Sequence, residues 1–278
     1  MIKALRCLLL IPLLWLAGCS PAAEVPALRL SEDELAWVGA QIFRNECASR
    51  PRCLVHWNEG EAFPSLGIGH FIWYPSAVDD RFVESFPELV AFMTERGVTL
   101  PPWLAELSPL DAPWPDRASF LAQADSPRVV GLRDFLQQHQ GVQAEFIFVR
   151  AQTALTRVLA AAPESRRGEI AEQLAALSAT PGGVYALLDY VNFKGEGLAT
   201  GERYQDQGWG LLQVLQQMTA TEGATALARF REAAAAVLTR RAELAPRAIE
   251  RQRWLPGWLR RLQSYREPAM LEDDNAQS

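Results

Sequence analysis

The sequence is poor in the residues and motifs that carry metal, nucleotide or nucleophile chemistry. It has three histidines and four cysteines in 278 residues, and His56 and His70 stand at no usual ligand spacing from Cys47 and Cys53. It also has no glycine-rich phosphate loop and no Gly-x-Ser-x-Gly elbow. These absences argue against a zinc site, a nucleotide site and a serine nucleophile, and we expect neither a metal nor a cofactor.

Positive charge is also scarce. The chain carries 27 basic and 33 acidic residues, a formal net charge of −6 at pH 7. Without the first 18 residues, which hold Lys3 and Arg6, 25 basic residues stand against 33 acidic ones, a net charge of −8. Nucleic acids and anionic membrane surfaces attract proteins that have a surplus of positive charge. We therefore expect no nucleic-acid partner.

The first 18 residues have the pattern of a secretory signal peptide. Lys3 and Arg6 precede an apolar run over residues 8–16, which is too short to span a bilayer. The run ends in Leu-Ala-Gly-Cys19, which resembles the lipobox of bacterial lipoproteins. This resemblance implies cleavage before Cys19 and a lipid on its thiol, and Ser20 favours an outer-membrane lipoprotein that faces the periplasm. An ordinary signal peptide followed by a chance cysteine is the alternative.

Cysteine usage agrees with export. Cys7 leaves with the signal peptide and Cys19 takes the lipid, so Cys47 and Cys53 remain as a close pair. In an oxidising compartment such a pair forms a disulfide by default. The predicted disulfide would shape the loop that follows Glu46, and two buried free thiols are the alternative.

The rest of the chain is long enough for one large domain. Residues 19–30 are predicted to tether residues 31–267, and residues 268–278 form a polar tail. A capping box at Ser31 and Glu34 predicts the start of the first helix, which ends at Asn45 and Glu46 before Pro51 and its turn formers.

The hydrophobic pattern predicts a mainly α domain with one small β hairpin near its start. Residues 54–57 and 66–73 are β-like and are separated by Asn-Glu-Gly-Glu, so residues 54–73 are predicted to form the hairpin. The segment over residues 79–125 is rich in proline and tryptophan, and we expect it to form a helix, an irregular loop and a second helix. Further helices are predicted over residues 128–138, 143–161, 166–177, 183–190, 208–220, 224–244 and 256–265.

These features resemble the phage-type lysozymes, the endolysin muramidases. That family has a helix ending in a catalytic Glu, a hairpin with a second carboxylate, and a Thr-x-Gly-x-Gly-His turn, which here is Ser65-Leu-Gly-Ile-Gly-His70. Residues 186–197 and 255–261 resemble the family's central helix and its closing Pro-Gly-x-x-x-Arg-Arg segment, in the same order. The resemblance implies an α+β lysozyme-like fold with helical insertions.

The resemblance also implies roles for the candidate site residues. Glu46 would be the general acid. Counting back from Ser65 places the second carboxylate at Glu59. Glu61 is the alternative, because it is two residues further along and lies on the same face of a regular hairpin. Ser65 would hold water or sugar, or simply cap the turn. His70 would line the substrate site or, as a buried histidine, fix the hairpin.

A second stretch resembles a segment of the lytic transglycosylases, which belong to the same broad superfamily. Residues 208–214 are similar to the Gly-Leu-Met-Gln segment of those enzymes. Glu202 precedes this segment and is the alternative acid. Neighbouring polar and aromatic side chains would then line a saccharide groove: Tyr204, Gln207, Trp209 and Gln213.

Three functions are consistent with these patterns. The first is a peptidoglycan glycosidase that cuts between N-acetylmuramic acid and N-acetylglucosamine. The second is a lytic transglycosylase that gives an anhydro product. The third is a noncatalytic, lipid-anchored protein that binds peptidoglycan.

Overall fold

The protein is mainly α-helical with a small amount of β structure, which confirms the predicted fold class. The computed structural model describes residues 25, 27–78 and 83–268, so Cys19 with its proposed lipid and most of the polar tail lie outside the described residues. The helices are α1 (Glu32–Cys47), α2 (Phe86–Glu95), α3 (Pro102–Ala105), α4 (Arg117–Ala122), α5 (Pro127–Gln138), α6 (Gln140–Ala161), α7 (Glu164–Ser178), α8 (Pro181–Lys194), α9 (Leu211–Gln217), α10 (Ala226–Leu244) and α11 (Leu255–Leu262). The strands are β1 (Val55–His56), β2 (Ser65–Leu66), β3 (Phe71–Ile72), β4 (Arg203–Tyr204) and β5 (Gln207–Gly208).

Helix α8 runs through the centre of the core. It packs against α1, α6, α7, α9 and α10, and from Gly182 to Tyr190 it is buried on every side, as expected for a helix that is apolar all round. Its buried side chains include Val184, Tyr185, Leu187, Leu188 and Tyr190. Asp189 is fully buried in the same helix, so this carboxylate needs partners inside the core.

Helix α1 carries Glu46 at its carboxyl end. The Ser31 hydroxyl accepts from the Glu34 amide at 3.3 Å, and the Glu34 carboxylate accepts from the Ser31 amide at 2.6 Å. This is the predicted capping box. The helix ends where Ala48 turns into the left-handed region at φ 47°, and a 3-10 turn at Pro51–Leu54 then leads into the sheet.

The predicted hairpin is a three-stranded antiparallel sheet in the order β1-β2-β3. Val55 pairs with Leu66, and Leu66 pairs with Phe71. Residues 66–73 are therefore two strands rather than one, because the chain reverses at the Gly67–His70 turn. Gly67 has φ +68°, and a Cβ there would lie 2.2 Å from Gln143 Oε1. Only glycine combines this backbone conformation with such a close approach.

A second, unpredicted hairpin joins β4 and β5. Gln205 and Asp206 at its tip both have positive φ, at 49° and 61°. The hairpin precedes α9 and covers part of α10. Among the described residues, no helix is both long enough and apolar enough to cross a membrane.

The folded domain begins before Ser31. Leu28 is buried in the core, and its amide donates to Gln152 Oε1 on α6 at 2.7 Å. At the other end, the Glu267 carboxylate accepts from the Gly182 amide at 2.8 Å. The predicted tether over residues 19–30 is therefore shorter than its sequence suggested, since its last residues are packed on the domain.

Candidate active site

Glu46 lies in a cleft between the end of α1, the small sheet and the end of α8. The cleft has a volume of about 390 Å³, and the Glu46 side chain is 13% exposed at its wall. The described residues that line the cleft are mostly polar on the Glu46 side and partly apolar further along: Glu46, Asn58, Glu61, Phe63, Ser65, Gly69, His70, Ile72, Val83, Ser85, Arg150, Asn192 and Phe193.

Three side chains from three different elements hold the Glu46 carboxylate. Arg261 Nη2 on α11 donates to Oε1 in a close ion pair. Asn192 Nδ2 on α8 donates to the same oxygen at 3.4 Å. His70 Nδ1 lies 3.4 Å from Oε2. Because these partners come from distant parts of the chain, tertiary packing fixes the direction of Glu46.

Arg261 is itself fixed by the buried Asp189. Its Nε donates to Asp189 Oδ2 and its Nη2 to Oδ1, each at 2.8 Å. Tyr265 Oη donates to Oδ2 at 2.7 Å, and Asn45 Nδ2 donates to Oδ1 at 3.3 Å. A two-point contact of this kind sets the plane of the guanidinium as well as its position.

The buried guanidinium is a permanent positive charge beside Glu46. Burial acts against the charged form of Arg261, but Asp189 first and Glu46 after it raise its pKa well above the usual value. The ring of Phe193 lies 4.1 Å from the guanidinium carbon. Two carboxylates and one aromatic ring thus surround a single cation.

Glu61 and Ser65 also line the cleft. Glu61 Oε2 accepts from Asn58 Nδ2 at 3.0 Å, and the Glu61 carbonyl accepts from Trp57 Nε1 at 2.8 Å. Ser65 is buried on the central strand β2. Glu59 is exposed on the loop between β1 and β2, and among the described residues the lining contains Glu61 and not Glu59. The position of Glu61 favours it as the second carboxylate.

His70 lies between Glu46 and the disulfide. The structure contains the predicted bond between Cys47 and Cys53, with their Cα atoms 5.3 Å apart. His70 Nε2 is 3.2 Å from Cys53 Sγ and 3.7 Å from Cys47 Sγ. Burial, the largest influence, lowers the pKa of His70, and Glu46 and Glu61 offset this only in part.

The four predicted groove residues are not among the described residues that line this cleft, and they contact other parts of the protein. Tyr204 Oη donates to Glu250 Oε1 at 2.7 Å. The guanidinium carbon of Arg241 lies 3.9 Å from the centre of the Trp209 ring. Gln207 Oε1 accepts from Arg240 Nε at 3.0 Å, and Gln213 Nε2 donates to the Gly197 carbonyl at 3.1 Å. The cleft around Glu46 therefore gives no support to their predicted contact with saccharide.

Glu202, the alternative acid, is also outside the cleft lining given by the described residues. It lies against Gly195, where an added Cβ would meet its carboxylate at 3.1 Å. Burial raises the pKa of Glu202, Arg241 lowers it, and Glu196 raises it. The charged side chains that influence this carboxyl are those of Arg241 and Glu196.

Sequence reasoning did not identify Asp189 and Asn192 as part of the site. Asp189 is the sole charged residue between Pro181 and Lys194, which is an otherwise apolar helix. A charged group in such a helix must find a partner, so this signal was available. Asn192 gave no comparable signal, because it follows the apolar run near the helix end.

Comparison with known protein families, with curated proteins and with solved structures gives no match for this chain. The function proposed below therefore rests on its residues and their geometry.

Proposed function

We propose that this protein is a glycoside hydrolase that cleaves peptidoglycan between N-acetylmuramic acid and N-acetylglucosamine. The observation that carries this proposal is that two carboxylates, Glu46 on α1 and Glu61 on the loop after β1, line one open cleft. Glycosidases use such a pair on either side of the bond that they cut. An open cleft also suits a long glycan strand, which must pass through the site.

Each carboxylate has a distinct task in the proposed reaction. Glu46, as the general acid, gives a proton to the glycosidic oxygen as the bond from C1 to that oxygen breaks. Water attacks C1, and Glu61 takes the proton that the water releases. Ser65, beside them in the cleft, is placed to orient this water or a sugar hydroxyl. The reaction requires no cofactor.

Arg261 and Asp189 support the reaction by positioning Glu46. Their bidentate contact holds the guanidinium in place, and the guanidinium then holds one oxygen of Glu46. Misplacement of a catalytic group by about 1 Å can cost a hundredfold in rate. The buried network therefore supports a catalytic role for Glu46 through geometry.

The analysis of products from purified sacculi tests this proposal. The full chain without its leader is incubated with sacculi, and the soluble muropeptides are identified by mass spectrometry. We expect products that end in a reducing muramic acid. Anhydromuramic ends would identify a lytic transglycosylase instead, and binding without soluble products would identify a noncatalytic peptidoglycan-binding protein.

We also propose that a lipid on Cys19 anchors the protein to the outer membrane, facing the periplasm. Leu28 is docked on the domain, so about nine residues connect the lipid to the fold, a reach of about 30 Å. Replacement of Cys19 by Ala is expected to move the protein from the membrane fraction to the soluble fraction, or to leave it uncleaved. A wild-type protein that is soluble and incorporates no labelled fatty acid would contradict this anchor.

A further inference from the structure

Three potential metal-ligand atoms meet beside Glu46, although the spacing of these residues in the sequence argued against a metal site. The Sγ atoms of Cys47 and Cys53 and a ring nitrogen of His70 lie within 4.8 Å of one another. They come from three segments: the end of α1, the 3-10 turn and the turn between β2 and β3. In the structure the two cysteines form a disulfide, so the sulfurs are available as ligands only after reduction.

The distances within this cluster suit a tetrahedral metal site. In such a site, Zn–S bonds of about 2.3 Å and Zn–N bonds of about 2.0 Å place sulfur and nitrogen about 3.5 Å apart. The two observed distances from His70 Nε2, 3.2 and 3.7 Å, bracket that value. With the Cα atoms 5.3 Å apart, side-chain rotation can open the two sulfurs to the separation of about 3.8 Å that the same geometry requires.

The orientation of His70 prepares its ring for a metal. Nδ1 faces Glu46 Oε2 at 3.4 Å, and Nε2 on the other side of the ring faces the two sulfurs at 3.2 and 3.7 Å. Among the described residues, the contacts of Nε2 are these two disulfide sulfurs, which carry no proton to donate. A carboxylate behind the second nitrogen is also the usual support of a metal-binding histidine.

We propose that the reduced protein binds one Zn²⁺ ion through the thiolates of Cys47 and Cys53 and through Nε2 of His70, with Glu46 as the partner of the other ring nitrogen. A dithiol supplies two electrons and two protons to open the disulfide and is itself oxidised to a disulfide. The ion then displaces both thiol protons into solvent, and a water molecule completes the four-coordinate shell. Because the ion holds His70 against Glu46, metal loading is expected to slow glycan cleavage; this consequence alone rests on the proposed function.

Metal titration of the reduced full chain tests the site without any glycan. Cys7→Ser and Cys19→Ser leave the two site cysteines, and the dithiol is removed under nitrogen before Co²⁺ is added. We expect the visible absorption bands of tetrahedral Co²⁺ bound to thiolate, saturating at one ion per chain and displaced by Zn²⁺. The oxidised protein, in which the sulfurs are joined, should show none of these bands.

Two histidine variants separate a built site from simple thiol binding. His70→Gln, which keeps a similar size, should weaken Co²⁺ binding by at least about tenfold, whereas His56→Gln on the exposed face of β1 should not change it. Circular dichroism of each reduced variant checks that the helices are retained. Absence of the Co²⁺ bands in the reduced protein, or equal affinity in the His70→Gln variant, would overturn the proposal. Because sacculi are absent, these outcomes are independent of whether the protein cleaves glycan.

Discussion

At the scale of single residues, Glu46 depends on a guanidinium that it shares with a buried carboxylate. Arg261 is 11% exposed and Asp189 is not exposed at all. Removal of one partner of a buried ion pair leaves the other charge without compensation, which is far more costly than removal of both. The pair is therefore expected to matter for stability as well as for the direction of Glu46.

Arg261→Met should lower the free energy of unfolding by about 3 kcal/mol or more, because Asp189 is then buried without its cation. Urea denaturation followed by circular dichroism measures this change. Arg260→Met is the matched control, since Arg260 is exposed on the same helix, and should stay within about 0.5 kcal/mol of wild type. Equal effects of the two substitutions would contradict the buried pair.

His70 should make stability depend on pH. Burial lowers its pKa in the folded protein below the ordinary value of 6.5, so below about pH 6.5 the unfolded chain takes up a proton before the folded one does. The free energy of unfolding should therefore fall as the pH is lowered through this range. Urea midpoints at several pH values should show this loss in wild type and in His56→Gln, and a smaller loss in His70→Gln. A loss of equal size in His70→Gln would assign the pH dependence to other groups.

At the scale of elements, the turn between β2 and β3 is held to α6 by one glutamine. Gln143 is fully buried; its Oε1 accepts from the Ile68 amide at 2.9 Å, and its Nε2 donates to the Leu136 carbonyl at 2.6 Å. This places Gly67 directly against the amide group of Gln143. The turn that carries His70 thus depends on a close approach that a side chain would prevent.

Gly67→Ala should destabilise the protein more than Gly60→Ala. Both glycines have positive φ, at +68° and +83°, so both substitutions strain the backbone, but nothing lies within 4 Å of a Cβ at Gly60. The comparison isolates the contact with Gln143. We expect about 1 kcal/mol for Gly60→Ala and at least about 2 kcal/mol more for Gly67→Ala, measured by urea denaturation. Similar values for the two variants would show that the turn can move away from Gln143.

The elements also show what the sequence could predict. The capping box and the helical periodicity located α1, α5, α6, α7 and α10 within a few residues, because these signals are local. The β4–β5 hairpin escaped prediction because its tip is Gln205-Asp206, with both residues at positive φ, where turns of this kind usually show Asn-Gly. The helix predicted over residues 208–220 starts later, at Leu211, because Gly208 pairs with Arg203 in that hairpin.

At the scale of the whole molecule, the candidate site joins residues far apart in the chain. Glu46 and Arg261 are separated by 215 positions and Asn45 and Asp189 by 144. The resemblance in the sequence could propose Glu46, Ser65 and His70 together because all three lie within residues 46–70. It could not show that α8 and α11 bring Asp189 and Arg261 behind that segment, since such contacts arise only from packing of the complete core.

The same packing gives the aromatic residues near the second hairpin partners within the protein. Tyr204 and Trp209 are residue types that often line saccharide grooves. Here the Tyr204 hydroxyl donates to Glu250, and the Arg241 guanidinium lies over the Trp209 ring. Burial also lowers the pKa of neighbouring Lys194 to about 6, with Arg241 acting in the same direction. This region is a filled interface between the hairpin, α10 and α11.

The rate at which Glu46→Gln releases muropeptides from purified sacculi tests the central claim most directly. Gln keeps the shape of the side chain but cannot deliver a proton, and general acid catalysis is worth about 10²–10⁴-fold. We predict a fall of at least that order for Glu46→Gln, a clear fall for Glu61→Gln and near wild-type release for the exposed Glu59→Gln, with unchanged circular dichroism throughout. Release by Glu46→Gln at the wild-type rate would contradict the assignment of Glu46 as the acid.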